Sequence, residues 1–393
     1  MRRRRSRNRS DSTSTNGLFG RLPRLVLIVL LLLAVAEWGA SIVLARLDAS
    51  GKAVPWSDKD LARLYDTDQP GVYRQVLIET PPVRDGAYAP FVEYRPAPRR
   101  GVYVSVTAQG LRGGPAGESG PRVVVFGGAG VFGQGLPDAE TIPAVLAGAL
   151  ERAGKPARVE NHGVPGWYSS QDRIAFAQML AGGDRPDVAV FLHGLEDFLQ
   201  CGQPERSRWS GRLAEGLRPV GVETLVRQSA LARLSRRLLG TPEAGPTDGI
   251  DPACAADAQV EASLARLDNN RRLLAAMAER FGVKAVFAQQ PVPTYHYDNA
   301  RRAVPAGPDQ MAPYIATAKG YARLAEMRGT GRLWEQDLMW LADLELAEGN
   351  AYAGIVQYSP AFARLIAETL AQRVAALLPV PPAAAPVAQQ PPQ

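Results

Sequence analysis

The chain is poor in histidine and cysteine, which supply the imidazoles and thiols of many active sites. It has three histidines (His162, His193 and His296) and two cysteines among 393 residues. None of the histidines has an aspartate three positions before it, so the sequence lacks an Asp-x-x-His pair, in which a carboxylate orients a general base. A base of that kind is therefore excluded.

The main part of the chain also lacks an excess of positive charge. The formal net charge is +6, but residues 1–24 hold eight arginines and one aspartate and contribute +7. The remaining residues therefore carry a balance of −1. Because nucleic-acid binding requires a basic surface, we expect no nucleic-acid partner.

One long apolar run is present, over residues 25–45, and it predicts a transmembrane helix. Its 21 residues span a bilayer core of roughly 30 Å at about 1.5 Å per residue. Glu37 is its only charged residue and lies beside Trp38, in the later half of the run. The arginines all precede the run, so residues 1–24 are predicted to form a basic cytoplasmic tail. The remainder is then periplasmic or extracellular, on a bacterial-type inner membrane.

A cleaved signal peptide is the alternative, because Ala34-Val35-Ala36 has the form of a cleavage site. The apolar residues continue through Leu44, which favours an uncleaved anchor. Export would place Cys201 and Cys254 in an oxidising compartment, where we expect a disulfide; two separate thiols are the alternative.

The pattern of elements predicts an α/β fold with a parallel sheet covered by helices on both faces. We interpret residues 46–120 as a linker and β-hairpin region, 121–378 as the main domain with an insertion at 195–257, and 379–393 as a disordered Pro/Ala-rich tail. Strands are predicted at 123–126, 158–161, 188–193 and 284–288, and helices at 140–152, 169–181, 259–281, 309–328 and 360–377.

The stretch VVVFGGAGVFGQG, residues 123–135, passes from a strand into glycines and has two interpretations. It contains a GxGxxG pattern typical of dinucleotide binding, with Glu160 as the residue that would contact the ribose. Residues 134–138 separate these glycines from the next helix, however, which does not suit a pyrophosphate site. The other interpretation is a strand and loop that present a nucleophile in an ester hydrolase.

Four segments favour the second interpretation. VFGGAGVFGQGLPDAETIPAVL, NHGVPGWYSSQ, PDVAVFLHGLEDF and VQYSPAFARLIAETL occur in the order found in the SGNH/GDSL hydrolase superfamily, which the chain resembles over about residues 85–377. The upstream VTAQGLRGG resembles a hairpin of membrane-anchored members. The resemblance implies a three-layer, flavodoxin-like sheet. It also implies ester hydrolysis or acyl transfer, often on envelope carbohydrates, without a cofactor.

The resemblance also identifies the site positions, and most of them are substituted. The nucleophile position falls on Ala129 and the oxyanion glycine on Gly163. The oxyanion asparagine position falls on Glu196, and the Asp and His positions fall on Gly354 and Gln357. Only the glycine is retained, so we expect an inactive enzyme relative that binds an envelope glycan or scaffolds an acyl-transfer partner protein. The predicted ligand-binding residues are Gly128, Gly163, Trp167, His193, Glu196 and His296.

Two further hypotheses remain open. His162, His193, Glu196 and Asp197 follow strand ends, and such groups can bind zinc or act as a relocated acid–base centre of an active hydrolase or acyltransferase. The insertion contains an amphipathic basic segment at 225–238, which is interpreted as a lid on the core or as a membrane-surface helix.

Overall fold

The structure, a computed structural model, describes residues 22–51, 56–80, 86–117, 120–201, 229–238, 250–331 and 338–379. The chain forms two compact units. The smaller comprises Met1–Ala53 and Gly216–Pro246, and the larger comprises Val54–Glu215 and Thr247–Gln393. Of the predicted tail at 1–24, only the last three residues are described. Of the predicted tail at 379–393, only Pro379 is described.

The described helices and strands, in chain order, have the following bounds. The helices are α1 Leu22–Gly51, α2 Asp58–Tyr65, α3 Pro70–Glu79, α4 Ala129–Phe132, α5 Ile142–Arg152, α6 Ser169–Ala181, α7 Leu195–Leu199, α8 Ala230–Leu238, α9 Asp257–Phe281, α10 Pro308–Met311, α11 Ile315–Gly329 and α12 Pro360–Leu377. The strands are β1 Ala87–Ala89, β2 Glu93–Arg95, β3 Arg99–Arg100, β4 Ser105–Val106, β5 Arg112–Ala116, β6 Arg122–Gly127, β7 Arg158–Asn161, β8 Val188–His193, β9 Lys284–Gln289 and β10 Leu338–Trp340.

The larger unit contains an eight-stranded sheet in the order β10-β9-β8-β6-β7-β5-β4-β3. The first five strands of this order pair in parallel, and β5, β4 and β3 continue the sheet as antiparallel strands. The four predicted strands are β6, β7, β8 and β9, which form the centre of the sheet. The carboxyl ends of the parallel strands therefore share one edge, where sites in such sheets lie.

Helices cover both faces of this sheet, which confirms the predicted three-layer α/β class. Val123 and Val125 of β6 point to one core, which α5 and α12 complete. Val124 and Phe126 point to the other, which α6 and α9 complete. Both alternating sets are apolar because a central parallel strand is buried on its two faces.

The region predicted as a linker and β-hairpin contains more structure than expected. Two helices, α2 and α3, lie in it, and β3–β5 extend the main sheet. Helix α2 begins at a capping box formed by Ser57 and Asp60. Its Leu61 and Leu64 are buried in the core beside α5 and α12. Because these helices are short, their apolar spacing was not recognised amid the surrounding prolines and glycines.

Two other differences have local causes. The helix predicted at 309–328 is interrupted by a 3₁₀ turn at Ala312–Tyr314, because Pro313 cannot donate a helical hydrogen bond. Strand β10 was not predicted, since its three residues are too few to show a pattern. The helices over 169–181 and 360–377 have the predicted bounds.

The predicted disulfide between Cys201 and Cys254 is present and joins the end of α7 to a 3₁₀ turn at Pro252–Ala255. Of the rest of the insertion, residues 202–228 and 239–249 lie outside the described residues, and with them Leu225 and Arg227.

The smaller unit contains α1 and α8. Within α1, Val26–Leu44 is 19 residues long with a mean hydropathy of 2.5, enough by length and composition to cross a membrane. Helix α8 packs against α1 through Ala230 and Leu234.

Candidate functional site

The glycine-rich stretch forms a strand, a tight turn and a single helical turn. Strand β6 ends at Gly127, Gly128 precedes α4, and Gly133 ends α4 with a left-handed φ of 77°. Helix α5 begins separately at Ile142, after the N-cap Thr141. The glycines therefore do not open a long helix, and the pyrophosphate site that a dinucleotide needs is not formed.

A carboxylate occupies the N-terminus of α4. Oε1 of Glu196 accepts a hydrogen bond from the backbone N–H of Ala129 at 2.8 Å. Gly128 makes this approach possible, since a Cβ atom there would lie 2.1 Å from Glu196 Oε1. Glu196 is 7% exposed. A methyl group and a buried carboxylate thus lie side by side at the start of this helical turn.

Burial raises the pKa of Glu196 to about 7. The hydrogen bond from Ala129 opposes this shift, and the neighbouring carboxylates of Asp197 and Asp172 add to it. Near neutral pH the side chain is therefore divided between its acid and its carboxylate. Both forms can keep an oxygen on the Ala129 N–H, because a protonated carboxyl retains an acceptor oxygen.

Gly163 lies on the other side of α4, and its N–H is also engaged. It donates to Asn161 Oδ1 at 3.0 Å, and Asn161 Nδ2 donates to the carbonyl of Val131 at 2.9 Å. A Cβ atom at 163 would lie 2.3 Å from the backbone N of Phe132. The glycine is therefore required for packing of this loop on α4, whatever its role toward a ligand.

The loop that leads into α12 lies beside the same helical turn. The ring of Tyr358 packs on Gly130, and its hydroxyl donates to the carbonyl of Pro291 at 2.8 Å. The side chain of Gln357 folds back over Gly354, with Oε1 2.1 Å from where a Cβ of Gly354 would be. Neither residue offers a carboxylate or an imidazole. The structure thus brings Ala129, Gly163 and Glu196 together at α4, with Tyr358 beside them, and Gly354 and Gln357 add no carboxylate or imidazole.

His193, a predicted ligand-binding residue, lies under the site instead of facing it. Its Nε2 is 3.0 Å from Asp172 Oδ2, and the side chain is 1% exposed. Burial lowers the pKa of His193 to about 4 and raises that of Asp172. The interpretation as a ligand contact therefore needs correction, because this pair is closed to solvent.

The relocated acid–base or zinc cluster is not assembled either. His162 pairs with Glu160 at 3.2 Å, apart from the His193 pair, and Asp197 accepts a hydrogen bond from the hydroxyl of Ser169. Within the described residues each of the three histidine rings pairs with a carboxylate and none with a hydroxyl. No group of three or more His, Cys, Asp or Glu side chains there is placed to hold a metal ion.

Trp167, another predicted ligand-binding residue, is fully buried. Its Nε1 donates to the carbonyl of Tyr94 at 3.1 Å, and the guanidinium of Arg95 lies 5.1 Å from its ring centre. It cannot stack on a ligand in this position. The prediction that Trp167 contacts a ligand is wrong because β2 covers its ring, and the sequence pattern does not show that β2 packs on the main domain.

His296 is the one histidine that is open to solvent, with 64% of its side chain exposed. Its ring stacks on Tyr295 with 3.9 Å between centroids, and its Nδ1 is 3.2 Å from Asp343 Oδ1. Asp343 also accepts a hydrogen bond from Nε1 of Trp340 at 2.7 Å, and Arg328 lies over the Trp340 ring. We call these five residues the aromatic patch. It follows the carboxyl ends of β9 and β10.

Several of these residues were missed by sequence reasoning. Asn161 carries a recognisable signal, since it precedes Gly163 by two residues at a strand end. Asp343 and Trp340 carry none, because they are more than 40 residues from His296 and meet it only through the pairing of β10 with β9.

No family model and no curated protein matches the chain. Solved structures do match. A carbohydrate acetylesterase family member from Sinorhizobium meliloti is 12% identical, with a TM-score of 0.36 over 65% of this chain and 99% of that one. The lipase/acylhydrolase from Enterococcus faecalis is 14% identical, with a TM-score of 0.31 over 67% and 100%. A GDSL-like lipase from Bacteroides thetaiotaomicron is 13% identical, with a TM-score of 0.30 over 65% and 88%.

The chain is similar to GDSL-type hydrolases. At such identities and TM-scores the likeness transfers no activity and no residue role, so the chemistry of the site rests on this chain's own contacts.

Proposed function

We propose that the chain is a membrane-anchored, exported SGNH-like protein that does not hydrolyse esters and acts as a binding or scaffolding component in envelope polysaccharide modification. The observation that carries the proposal is the hydrogen bond from the Ala129 N–H to Glu196. Through this hydrogen bond the carboxyl group of Glu196 takes the N–H that would otherwise be free to bind the oxyanion of a substrate.

Ester cleavage at this edge needs a nucleophile, a base and free donors for the oxyanion. The side chain of Ala129 is a methyl group, and Gln357 cannot take up a proton near neutral pH. Loss of one oxyanion donor by itself lowers the rate by roughly 10²–10³-fold. Here a carboxylate takes that donor's place, and its ionised form would repel the developing negative charge.

The aromatic patch supports the binding part of the proposal. Its stacked Tyr295 and His296 rings and the half-buried Trp340 offer faces on which a sugar ring packs, and Asp343 and Arg328 offer hydrogen bonds to hydroxyl groups. We therefore assign contact with an envelope glycan to this patch and not to Trp167. A partner acyl-transfer protein is then the component that supplies the chemistry.

The apolar part of α1 supports the anchor, with the arginines before it on the cytoplasmic side and the main unit in the periplasm or outside. The disulfide between Cys201 and Cys254 fits an oxidising compartment. A cleaved signal peptide is the alternative to the anchor. The mass of the mature chain purified from membranes distinguishes the two, since cleavage after Ala36 would remove residues 1–36.

The catalytic part is tested with full-length protein in detergent, p-nitrophenyl acetate and acylated envelope glycans. We expect turnover no higher than the buffer blank for the wild type and for Glu196→Gln. Turnover that the wild type shows and Glu196→Gln abolishes would refute the proposal.

Binding is tested by calorimetry with deacylated envelope oligosaccharides. Trp340→Ala should abolish the heat of binding, whereas the exposed Trp56→Ala, outside the patch, should leave it unchanged.

A second candidate function is an active enzyme with a relocated base, and the His296–Asp343 pair favours it. Asp343 holds Nδ1 of the imidazole, which leaves Nε2 toward solvent. This candidate predicts ester turnover that is lost in His296→Gln. If the wild type shows no turnover with any acylated glycan, the candidate is rejected.

A further inference from the structure

Glu37 is the only charged residue between Val26 and Leu44 of α1. It precedes Leu44 by seven residues, about 10 Å at the helical rise of 1.5 Å per residue. An ionisable side chain at that depth in a membrane-spanning helix is costly unless it has a partner. The partner of this one is present in the smaller unit.

Both carboxylate oxygens of Glu37 accept hydrogen bonds from the first turn of α8. Oε1 accepts from the N–H of Ala230, and Oε2 accepts from the N–H of Leu231 at 3.1 Å. The first N–H groups of a helix have no partner within the helix, and the helix dipole favours a negative charge beside them. These hydrogen bonds therefore hold the first turn of α8 beside Glu37 of α1.

An apolar contact extends the junction. Ala40 and Leu44 of α1 are buried against Ala230, and Leu234 packs on them. Each pair is spaced by four residues, so one face of each helix makes the contact. The large apolar side chains described between Val26 and Val43 of α1 are exposed, as expected of a helix that faces lipid.

Two leucines of α8 remain uncovered: Leu231 is 37% exposed and Leu238 is 77% exposed. They lie on the apolar side of α8, next to the face that contacts α1, because positions 231, 234 and 238 follow a helical spacing. The nine residues of α8 contain three arginines and no acidic residue. Leucines on one side and arginines in a short helix are the composition of helices that lie in the membrane interface.

We infer that α8 lies beside α1 in the exported leaflet, from the level of Glu37 toward the headgroup region, with Leu231 and Leu238 among the acyl chains. The lipid that this chemistry recognises is an anionic phospholipid, whose phosphate attracts the arginines. Lipid is the occupant because α8 is held against the side of a helix whose own exposed surface is apolar. This inference rests on the proposed membrane anchor and gives the insertion a second membrane contact.

The test uses the full-length chain in nanodiscs of phosphatidylcholine with phosphatidylglycerol. Under non-reducing conditions, which keep the native disulfide, Leu231→Cys and Leu238→Cys are each labelled with an environment-sensitive fluorophore. We expect blue-shifted emission and loss of most of it to a lipid-attached quencher. Leu273→Cys, an exposed leucine of α9 in the larger unit, is the matched control and should be quenched only by aqueous iodide. Iodide quenching at 231 and 238 equal to that at 273 would overturn the inference.

The junction and the lipid charge are tested in the same system. Glu37→Leu should shift the emission of the label at 238 toward that of an aqueous environment, since α8 loses its attachment. Nanodiscs without phosphatidylglycerol should do the same, and unchanged emission in them would overturn the anionic lipid as the occupant. Alkaline extraction of native membranes tests the anchor separately. Release of the chain overturns the anchor and the inference together, whereas a retained chain with aqueous labels overturns the inference alone.

Discussion

Replacement of Glu196 by glutamine should change the pH dependence of stability in a defined direction. The glutamine side chain of the Glu196→Gln variant would keep an acceptor oxygen for the Ala129 N–H but cannot ionise. In the wild type the ionised form of Glu196 is disfavoured by burial, which raises its pKa from the ordinary value of 4.5 to about 7. The folded state is therefore penalised whenever the unfolded chain would ionise this residue.

The sign follows from proton linkage. Below pH 4.5 the carboxyl is protonated in both the folded and the unfolded state, and Glu196 adds no pH dependence. As the pH rises from 4.5 to 7 the unfolded state loses the proton first, so the wild type loses stability. The loss is complete above pH 7. A shift of this size corresponds to about 3 kcal/mol in the free energy of unfolding.

The assay compares the thermal unfolding of Glu196→Gln and wild type in detergent at pH 5 and pH 8. The larger unit has about 300 residues. For a unit of this size, a change of about 3 kcal/mol in the free energy of unfolding shifts Tm by about 5 °C, because the shift equals that change divided by the entropy of unfolding. The difference in Tm between the variant and the wild type should therefore be about 5 °C larger, in favour of the variant, at pH 8 than at pH 5. Glu151→Gln, an exposed glutamate on α5, is the control and should show no such gain. A variant that loses stability relative to wild type as the pH rises would refute the reasoning, because it would mean that α4 binds the carboxylate in its ionised form.

The other predictions concern activity and packing. Ala129→Ser alone should not produce esterase activity against p-nitrophenyl acetate, because the three imidazoles pair with Glu160, Asp172 and Asp343 and Glu196 still holds the N–H of residue 129; measurable turnover would contradict this. Cys254→Ser should lower the free energy of unfolding by about 4 kcal/mol, since it opens a loop of 53 residues; denaturant unfolding measures it, and a change near zero would argue against the disulfide. Gly163→Ala should destabilise by about 2 kcal/mol because its Cβ would meet the Phe132 backbone, whereas Gly71→Ala, with free space around it, should not; equal melting temperatures would refute the packing role.

The sequence determined the architecture of the sheet. The runs at 123–126, 188–192 and 285–288 are apolar on both alternations, and this pattern is typical of a strand covered by helices on two faces. The apolar span of α1 and the disulfide pair could be predicted for similar reasons, since each depends on local composition or on a single possible pairing.

Part of the site also followed from the sequence. Because parallel strands end at a common edge, residues that follow β6, β7 and β8 must be neighbours, and Ala129, Gly163 and Glu196 do surround one helical turn. What the sequence could not give is the direction of each side chain. His193 and Trp167 also follow strands of this edge, yet both point into the interior.

The tertiary structure alone decided that Glu196 lies on the Ala129 N–H, that Asp343 meets His296, and that Glu37 holds the start of α8. The partners in these pairs are separated by 67, 47 and 193 residues. No local propensity or spacing encodes such distances. They are fixed by packing of whole elements, because a hydrogen bond between residues far apart in the chain forms only where the elements carrying its two ends are already held in place.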